Sequence, residues 1–301
     1  MIGEPALKIL GPGDEALLED FLLPRIESSM FLIGNMRAAG LMDNGRAYEG
    51  TYAAALKGGK ITGVVAHYWN QNLVFQSPVE RDLKPLWQAA VKASGRPIGG
   101  LIGPNEQVVR AKEELGINDT MIQMDEQEKL YSLALGDLAV PGDLSSGKVT
   151  GRRIESRDLE RVTRWTAAYS IEAIGETDSP QLWEKSRNSV ERSIREGRTW
   201  LLESRGEPVA CSSFNTAIKE AVQVGGVWTP PELRCRGYGR CVVATSLLDA
   251  RAQGVAKAIL FTGESNLAAQ RAYTALGFRH IGDYRLVLLR SPTSILPALD
   301  P

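Results

Sequence analysis

Two α+β domains in tandem are what this 301-residue sequence predicts, on three observations. The chain is longer than a typical single domain. The order of strand-like and helix-like segments in its first half returns in its second. Between the halves lies Gly136 to Gly147, with Pro141-Gly142-Asp143 and Ser145-Ser146-Gly147, a turn-rich stretch that reads as a linker. The expected domains are residues 1–140 and 148–301.

The first half opens with a short strand, Ala6 to Leu10. A helix carrying Leu17, Leu18, Phe21 and Leu22 follows, then a second near Met30 to Ala39, ended by Gly40. Tyr48 to Leu56 and Ile61 to Trp69 read as a hairpin around Lys57-Gly58-Gly59-Lys60, because paired glycines supply the positive φ angles of a tight hairpin turn. Asn72 to Gln76 is a strand, a helix runs through Leu83, Leu86, Trp87 and Val91, and Ile98 to Ile102 is again a strand. A helix from Asn105 to Leu115 is closed by Gly116, and Met121 to Leu135 is mostly extended.

The second half repeats the plan: a strand near Val149 to Glu155, helices from Asp158 to about Tyr169 and from Pro180 to Glu196, and a hairpin around Arg205-Gly206. Gly59 matches Gly206 at an offset of 147, whereas Asn105, Leu115 and Gly116 match Asn266, Leu276 and Gly277 at 161. The 14 additional residues fall between those anchors. A duplication accounts for this order; two unrelated α+β domains sharing a hairpin and a Leu-Gly helix end remain the alternative.

Composition narrows function. Lys plus Arg number 35 and Asp plus Glu 36, a net charge of −1, which argues against a dedicated nucleic-acid binder. Cys211, Cys235 and Cys241 have no metal-ligand spacing, and only His67 and His280 could assist them, so neither a metal site nor a disulfide framework is expected. The N-terminal residues lack the blocks of a signal peptide, and no apolar run reaches the roughly 20 residues that span a bilayer. A cytoplasmic protein without membrane contact is expected.

The most informative stretch is Val222-Gln223-Val224-Gly225-Gly226-Val227-Trp228-Thr229-Pro230-Pro231-Glu232-Leu233, followed by Arg234-Cys235-Arg236-Gly237-Tyr238-Gly239-Arg240. An apolar strand stops at two prolines, turns through a loop rich in Gly and Arg, and opens a helix. Two glycines one residue apart let backbone N–H groups converge, and the helix dipole adds positive charge at the same point. Such a nest suits a phosphate; the plainer alternative is a flexible turn. The helix carries Val243, Leu247 and Ala250 and ends at Gly254. A strand, Ala258 to Thr262, and a second helix from Asn266 to Leu276 come next.

Arg234, Gly237 and Gly239 match a Gln/Arg-x-x-Gly-x-Gly/Ala loop, and Asn266, Ala269, Tyr273, Gly277 and Phe278 match an Asn-x-x-Ala-x-x-x-Tyr-x-x-x-Gly-Phe helix. With both motifs in this order, the second half resembles the GNAT superfamily of acyl-CoA N-acyltransferases. The segment Gly226 to Glu232 and the duplicated plan resemble tandem GNAT proteins. The resemblance implies that each domain is a mixed, mostly antiparallel twisted sheet flanked by helices. In the first half Gln76-Ser77-Pro78-Val79-Glu80-Arg81-Asp82 stands where the Gly-x-Gly loop should be, and Lys112 where the tyrosine should be. That half therefore reads as a degenerate domain without the phosphate loop.

By resemblance, acetyl-CoA is the acyl donor. It is expected to be held by Val227, Trp228 and Thr229, by Arg234, Cys235, Arg236, Gly237, Tyr238, Gly239 and Arg240, and by Asn266 and Ala269. Gly225-Gly226 suits the strand bulge that the family uses to splay this strand. Tyr273 is the expected general acid for the departing thiolate. Many family members carry a glutamate base six residues before the position of Thr229; here that residue is Gln223. The base is then a water chain, solvent acting on an amine of low pKa, or a carboxylate such as Glu172, Glu176 or Glu220. The acceptor site of the fold maps onto Trp165, Tyr169, Glu172, Glu176 and Asp178, an acidic set that suits a cationic amine or is simply a solvated loop.

The reading is an N-acetyltransferase acting on a primary amine, either a small-molecule amine or a protein lysine or N-terminus, as a monomer or homodimer. The alternative is a non-catalytic acyl-CoA-binding sensor or interaction protein. A nucleotide-binding oxidoreductase is disfavoured, because the third glycine and the acidic ribose-binding residue of that class are missing.

Overall fold

Residues 5–294 are described by a computed structural model, and they form two compact units. One unit comprises Met1–Lys129 and Gly282–Pro301, the other Leu130–Ile281.

The first unit contains β1 (Ala6–Ile9), α1 (Glu15–Leu22), α2 (Ile26–Ala39), β2 (Gly50–Lys57), β3 (Lys60–Tyr68), β4 (Asn72–Gln76), α3 (Leu83–Ser94), β5 (Ile98–Pro104), α4 (Asn105–Glu114) and the start of β6 (Ile122–Ala134). β1 to β4 pair antiparallel in sequence order, and β4 pairs parallel with β5 across α3. Gly58 and Gly59 have φ of 58° and 75°, the two positive values that the β2–β3 turn requires. Leu86, Trp87, Val91, Leu101 and Val108 belong to one buried cluster between the sheet and α3 and α4.

The second unit takes the end of β6 and then α5 (Gly142–Ser145), β7 (Val149–Arg153), α6 (Leu159–Ile174), α7 (Pro180–Glu196), β8 (Thr199–Ser204), β9 (Glu207–Ala217), β10 (Ala221–Trp228), α8 (Tyr238–Ala252), β11 (Lys257–Gly263) and α9 (Leu267–Thr274). The last strand, β12 (Arg279–Thr293), starts here. β7 to β10 pair antiparallel in order, and β10 pairs parallel with β11 across α8. Arg205 and Gly206, at φ of 54° and 80°, repeat the glycine turn of the first unit. Each unit thus has a hairpin, a parallel crossover through a helix, and a second helix after the crossover. Mixed, mainly antiparallel sheets with flanking helices are what the sequence predicted.

The units divide at other places than residues 1–140 and 148–301. β12 pairs antiparallel with β5, from Tyr284↔Pro104 to Leu288↔Gly100, and puts Val287 and Leu289 into the first core. Residues 136–147 are not a free linker. Leu138 is in the second core, Leu144 packs on it, and the Ala139 N–H donates to the Leu276 carbonyl at 3.0 Å. The turn signals there are real, but the apolar residues between them have a core to enter.

Two helices exceed their expected lengths. α2 begins at Ile26 rather than Met30, and α6 runs to Ile174, capped by Gly175 at φ 71°. Glu172 therefore lies on a helix rather than in a connection. Among the described residues no helix is long and apolar enough to cross a membrane.

Candidate functional site

β10 is irregular on both of its edges. Against β9, Gln223 pairs with Thr216 but Val224 with Phe214, so Asn215 is an additional residue. Further on, Gly225 pairs with Ser213 and Trp228 with Cys211, so Gly226 and Val227 oppose Ser212 alone. Gly226 has φ 57°, the bulge conformation a glycine adopts without a Cβ penalty. The Cys211 thiol lies 3.9 Å from the Gly226 carbonyl oxygen that accepts from it, and burial pushes that thiol's pKa up to about 12. Against β11, the parallel ladder ends at Gln223↔Ile259, although β10 continues to Trp228 and β11 to Gly263. Beyond Gln223 the two strands diverge.

The divergence opens toward the loop. Pro231–Leu233 make one 3-10 turn, Cys235 and Gly237 sit at φ of 61° and 77°, and α8 begins at Tyr238. The first N–H groups of a helix have no intrahelical carbonyl, so those entering α8 face out of the turn. A Cβ on Gly239 would stand 3.7 Å from Thr229 Oγ1 and 4.0 Å from Val227 Cγ1, which places the strand end beside the helix start. Arg240 Nε is buried without a hydrogen-bond partner among the described residues. A phosphate fits this group: it would meet converging N–H donors, the helix dipole and an unengaged guanidinium N–H.

Not every predicted loop residue is available. Arg234 donates from Nε to the Thr229 carbonyl at 3.0 Å and from Nη2 to Glu172 Oε2 at 2.9 Å, and lies 4.8 Å over the Trp228 ring. Arg236 donates to the Glu232 carbonyl at 3.2 Å. Cys235 is exposed, Tyr238 packs on the second core, and the Trp228 ring is buried. Trp228 therefore faces the sheet's other side, against Tyr169 at 6.5 Å between centroids, and its ring is turned away from the loop.

Asn266 caps α9: its Oδ1 accepts the Ala269 N–H at 3.1 Å, so that N–H is already engaged. Tyr273 is buried in the second core with Phe278, ring centroids 6.0 Å apart. Gln223 is 3% exposed, and its Oε1 has no hydrogen-bond partner among the described residues. Val222 and Val224 point into the core shared with α8, so Gln223 and Gly225 lie on the opposite face.

That opposite face carries the expected acceptor elements. Trp165 and Tyr169 of α6 pack with Trp228 and Leu201. The acidic set is largely neutralised: besides Glu172 with Arg234, Glu176 pairs with Lys185 at 2.7 Å, and Asp178 accepts the Trp183 indole N–H at 2.7 Å. The sequence alone does not single out Asn215. Its amide fills the space beside Gly225, where a Cβ would lie 2.3 Å from Nδ2. Asn215 is the bulged residue of β9, without a partner of its own on β10, and no spacing in the sequence announces that placement. Ser213, opposite Gly225, is linked to α7 by hydroxyls, through Thr199 at 2.7 Å and on to Ser193.

The equivalent place in the first unit is filled. A Cβ on Gly103 would meet Phe75 Cβ at 3.0 Å and its carbonyl oxygen at 3.1 Å, so β4 and β5 stay close. The Ser77 N–H is taken by Gln107 Oε1 at 2.7 Å. Lys112, at the tyrosine's position, pairs with Asp125 at 2.6 Å, and Asp125 also holds Arg285 at 2.6 Å. Among the described residues no cluster of His, Cys, Asp or Glu could hold a metal ion.

Comparison with known proteins bears on the fold and on the second unit's family. Residues 161–278 match the family model described as acetyltransferase (GNAT) family. No match was found among functionally curated proteins. Among solved structures, a Drosophila protein from a structural genomics consortium is 14% identical with a TM-score of 0.67, covering 97% of this chain and 100% of its own. A GCN5-related N-acetyltransferase from Sphaerobacter thermophilus is 14% identical, TM-score 0.59, covering 96% of each chain. A tandem GNAT protein from the clavulanic acid biosynthesis pathway is 12% identical, TM-score 0.56, covering 97% and 100%. At these identities the structures speak for the fold alone. The motif residues of the second unit lie inside the matched segment: residues 161–278 form a GNAT-family acetyltransferase domain, and the fold of the full chain has two GNAT-like halves.

Proposed function

We propose that the second unit is an acetyl-CoA-dependent N-acetyltransferase that acts on a primary amine by direct attack on the thioester. The observation that carries this reading is the end of the β10–β11 ladder at Gln223 while both strands run on. Peptide groups left unpaired along a strand edge match the amides of a pantetheine arm. The gap leads to the Gly237 turn and α8, where the pyrophosphate end has its donors.

In the reaction the amine lone pair attacks the thioester carbon, a C–N bond forms and the C–S bond breaks. The Tyr273 hydroxyl supplies the proton that the thiolate takes. N–H groups of Val227 and Thr229 polarise the carbonyl. In the first unit, Phe75, Gln107 and Lys112 take up the counterpart of this donor site among the described residues, which supports a single donor site per chain.

Gln223 favours a second reading, a non-catalytic acyl-CoA sensor, because an amide takes no proton at neutral pH. Thiol release from acetyl-CoA, measured with a panel of primary amines, separates the two. Amine-dependent release supports transfer; tight binding without release under any amine supports the sensor.

A further inference from the structure

We propose that the acceptor is a primary amine with a substantial free-base fraction near pH 7, such as an α-amino group or an arylamine, rather than a lysine-type alkylammonium. This rests on the acetyl-transfer reading above. An ammonium has no lone pair with which to attack. Lysine side chains titrate near 10.4 and α-amino groups near 7.7–8.0, so at neutral pH they differ on the order of 100-fold in free base. A site for alkylammonium ions needs a base to remove the proton and negative charge to attract the ion.

The acceptor side of the second unit is short of both. Gln223 stands where a strand carboxylate would act. Glu172 is bound to Arg234 at 2.9 Å, Glu176 to Lys185 at 2.7 Å, and Glu220 lies 3.6 Å from Lys219. What the site does present is a hydrogen-bond acceptor. Gln223 Oε1 is buried and has no hydrogen-bond partner among the described residues, and a buried acceptor left unpaired is destabilising. A neutral amine, or a water beside it, brings the missing donor. The Asn215 amide lies over Gly225 on the same face as Gln223, and is exposed to an incoming ligand. Two amides in place of a carboxylate orient an amine without deprotonating it first. Its surplus proton leaves through water to solvent after the C–N bond forms, while Tyr273 protonates the thiolate and is reprotonated from solvent.

The test measures kcat/KM of the full chain with acetyl-CoA and aniline, glycinamide or Nα-acetyl-lysine amide, from pH 6 to 9. Glycinamide is expected to exceed the lysine derivative at pH 7.5 on the order of 100-fold, and each profile to follow the amine's own titration. Gln223→Glu is expected to add an inflection common to all amines and to raise the lysine derivative selectively. A purely structural role for Gln223 would instead lower all three alike, and so would overturn the proposal. Equal use of lysine derivative and glycinamide by the wild type at pH 7.5 would overturn it too. So would a wild-type inflection shared by all amines, which would mark a titrating base in the site. Absence of thiol release with every amine would overturn the acetyl-transfer reading and this inference with it.

Discussion

The amide of Asn215 occupies the place of the side chain that Gly225 lacks: a Cβ there would stand 2.3 Å from both Nδ2 and Oδ1. Gly225→Ala therefore has to move the amide, and because that amide is the free end of an exposed side chain the cost is about 1 kcal/mol or less. Chemical denaturation of Gly225→Ala, Asn215→Ala and the double variant checks this. The double variant should recover most of the loss, as a coupled pair does. Additive losses would mean that the two residues do not share this space.

Gly237 sits at φ 77° where the loop enters α8. Gly237→Ala carries a strain of about 1–2 kcal/mol and turns the first helical N–H groups away from their common point. Calorimetric titration should show one acetyl-CoA site per chain in the wild type, with affinity reduced about tenfold or more in the variant. Two equivalent sites would contradict the filled counterpart in the first unit.

Tyr273→Phe keeps the ring that packs on Phe278 and removes the hydroxyl. Turnover under saturating acetyl-CoA should fall on the order of 10²–10⁴-fold, with acetyl-CoA affinity nearly unchanged. Turnover equal to wild type would remove the acid role and point to another limiting step, such as product release.

Asp158 accepts from Arg152 Nη1 at 2.6 Å and Nη2 at 2.9 Å, and from the Glu155 N–H at 2.8 Å. The Arg152 guanidinium, more than the backbone N–H, holds its pKa below the usual carboxylate range. A carboxylate depressed in the folded state stabilises fully above its unfolded pKa, about 3.9. That contribution is lost as pH falls through the lower folded value. Urea midpoints measured from pH 7 to 3 should decline less steeply for Asp158→Asn than for wild type. Parallel declines would show that the pair contributes nothing to acid sensitivity.

A fragment of residues 148–301 begins after Tyr131, Leu133, Leu135 and Leu138, all members of the second core. Each buried side chain of this kind contributes about 1.5–3 kcal/mol, so four exceed the margin of most domains. The fragment should lack a cooperative thermal transition. A sharp transition near that of the full chain would show that the second unit needs none of them.

How much was legible beforehand followed from the range of the interactions. The hairpins at Gly58-Gly59 and Arg205-Gly206, the Gly237 turn and the Asn266 cap were readable because a few adjacent residues set their backbone angles. Tyr273, Gly237 and Gly239 could be proposed for the site for the same reason, as motif positions with fixed local spacing. Arg234 looked like a phosphate ligand, but its engagement by Glu172 joins residues 62 apart, and no local pattern announces it.

The sequence by itself determined the duplicated plan, the strand and helix types and the loop that can take a phosphate, all features of period and turn chemistry. The tertiary structure alone decided which core each alternating strand would serve. β6 gives Ile122 to the first core and Tyr131 and Leu133 to the second, and β12 returns Val287 and Leu289 to the first. An alternating apolar pattern specifies a buried face but not its partner, so strand pairing between distant segments depends on packing that no short window contains. The same is true of the end of the β10–β11 ladder and of Asn215 over Gly225: each exists only once two strands have chosen their register.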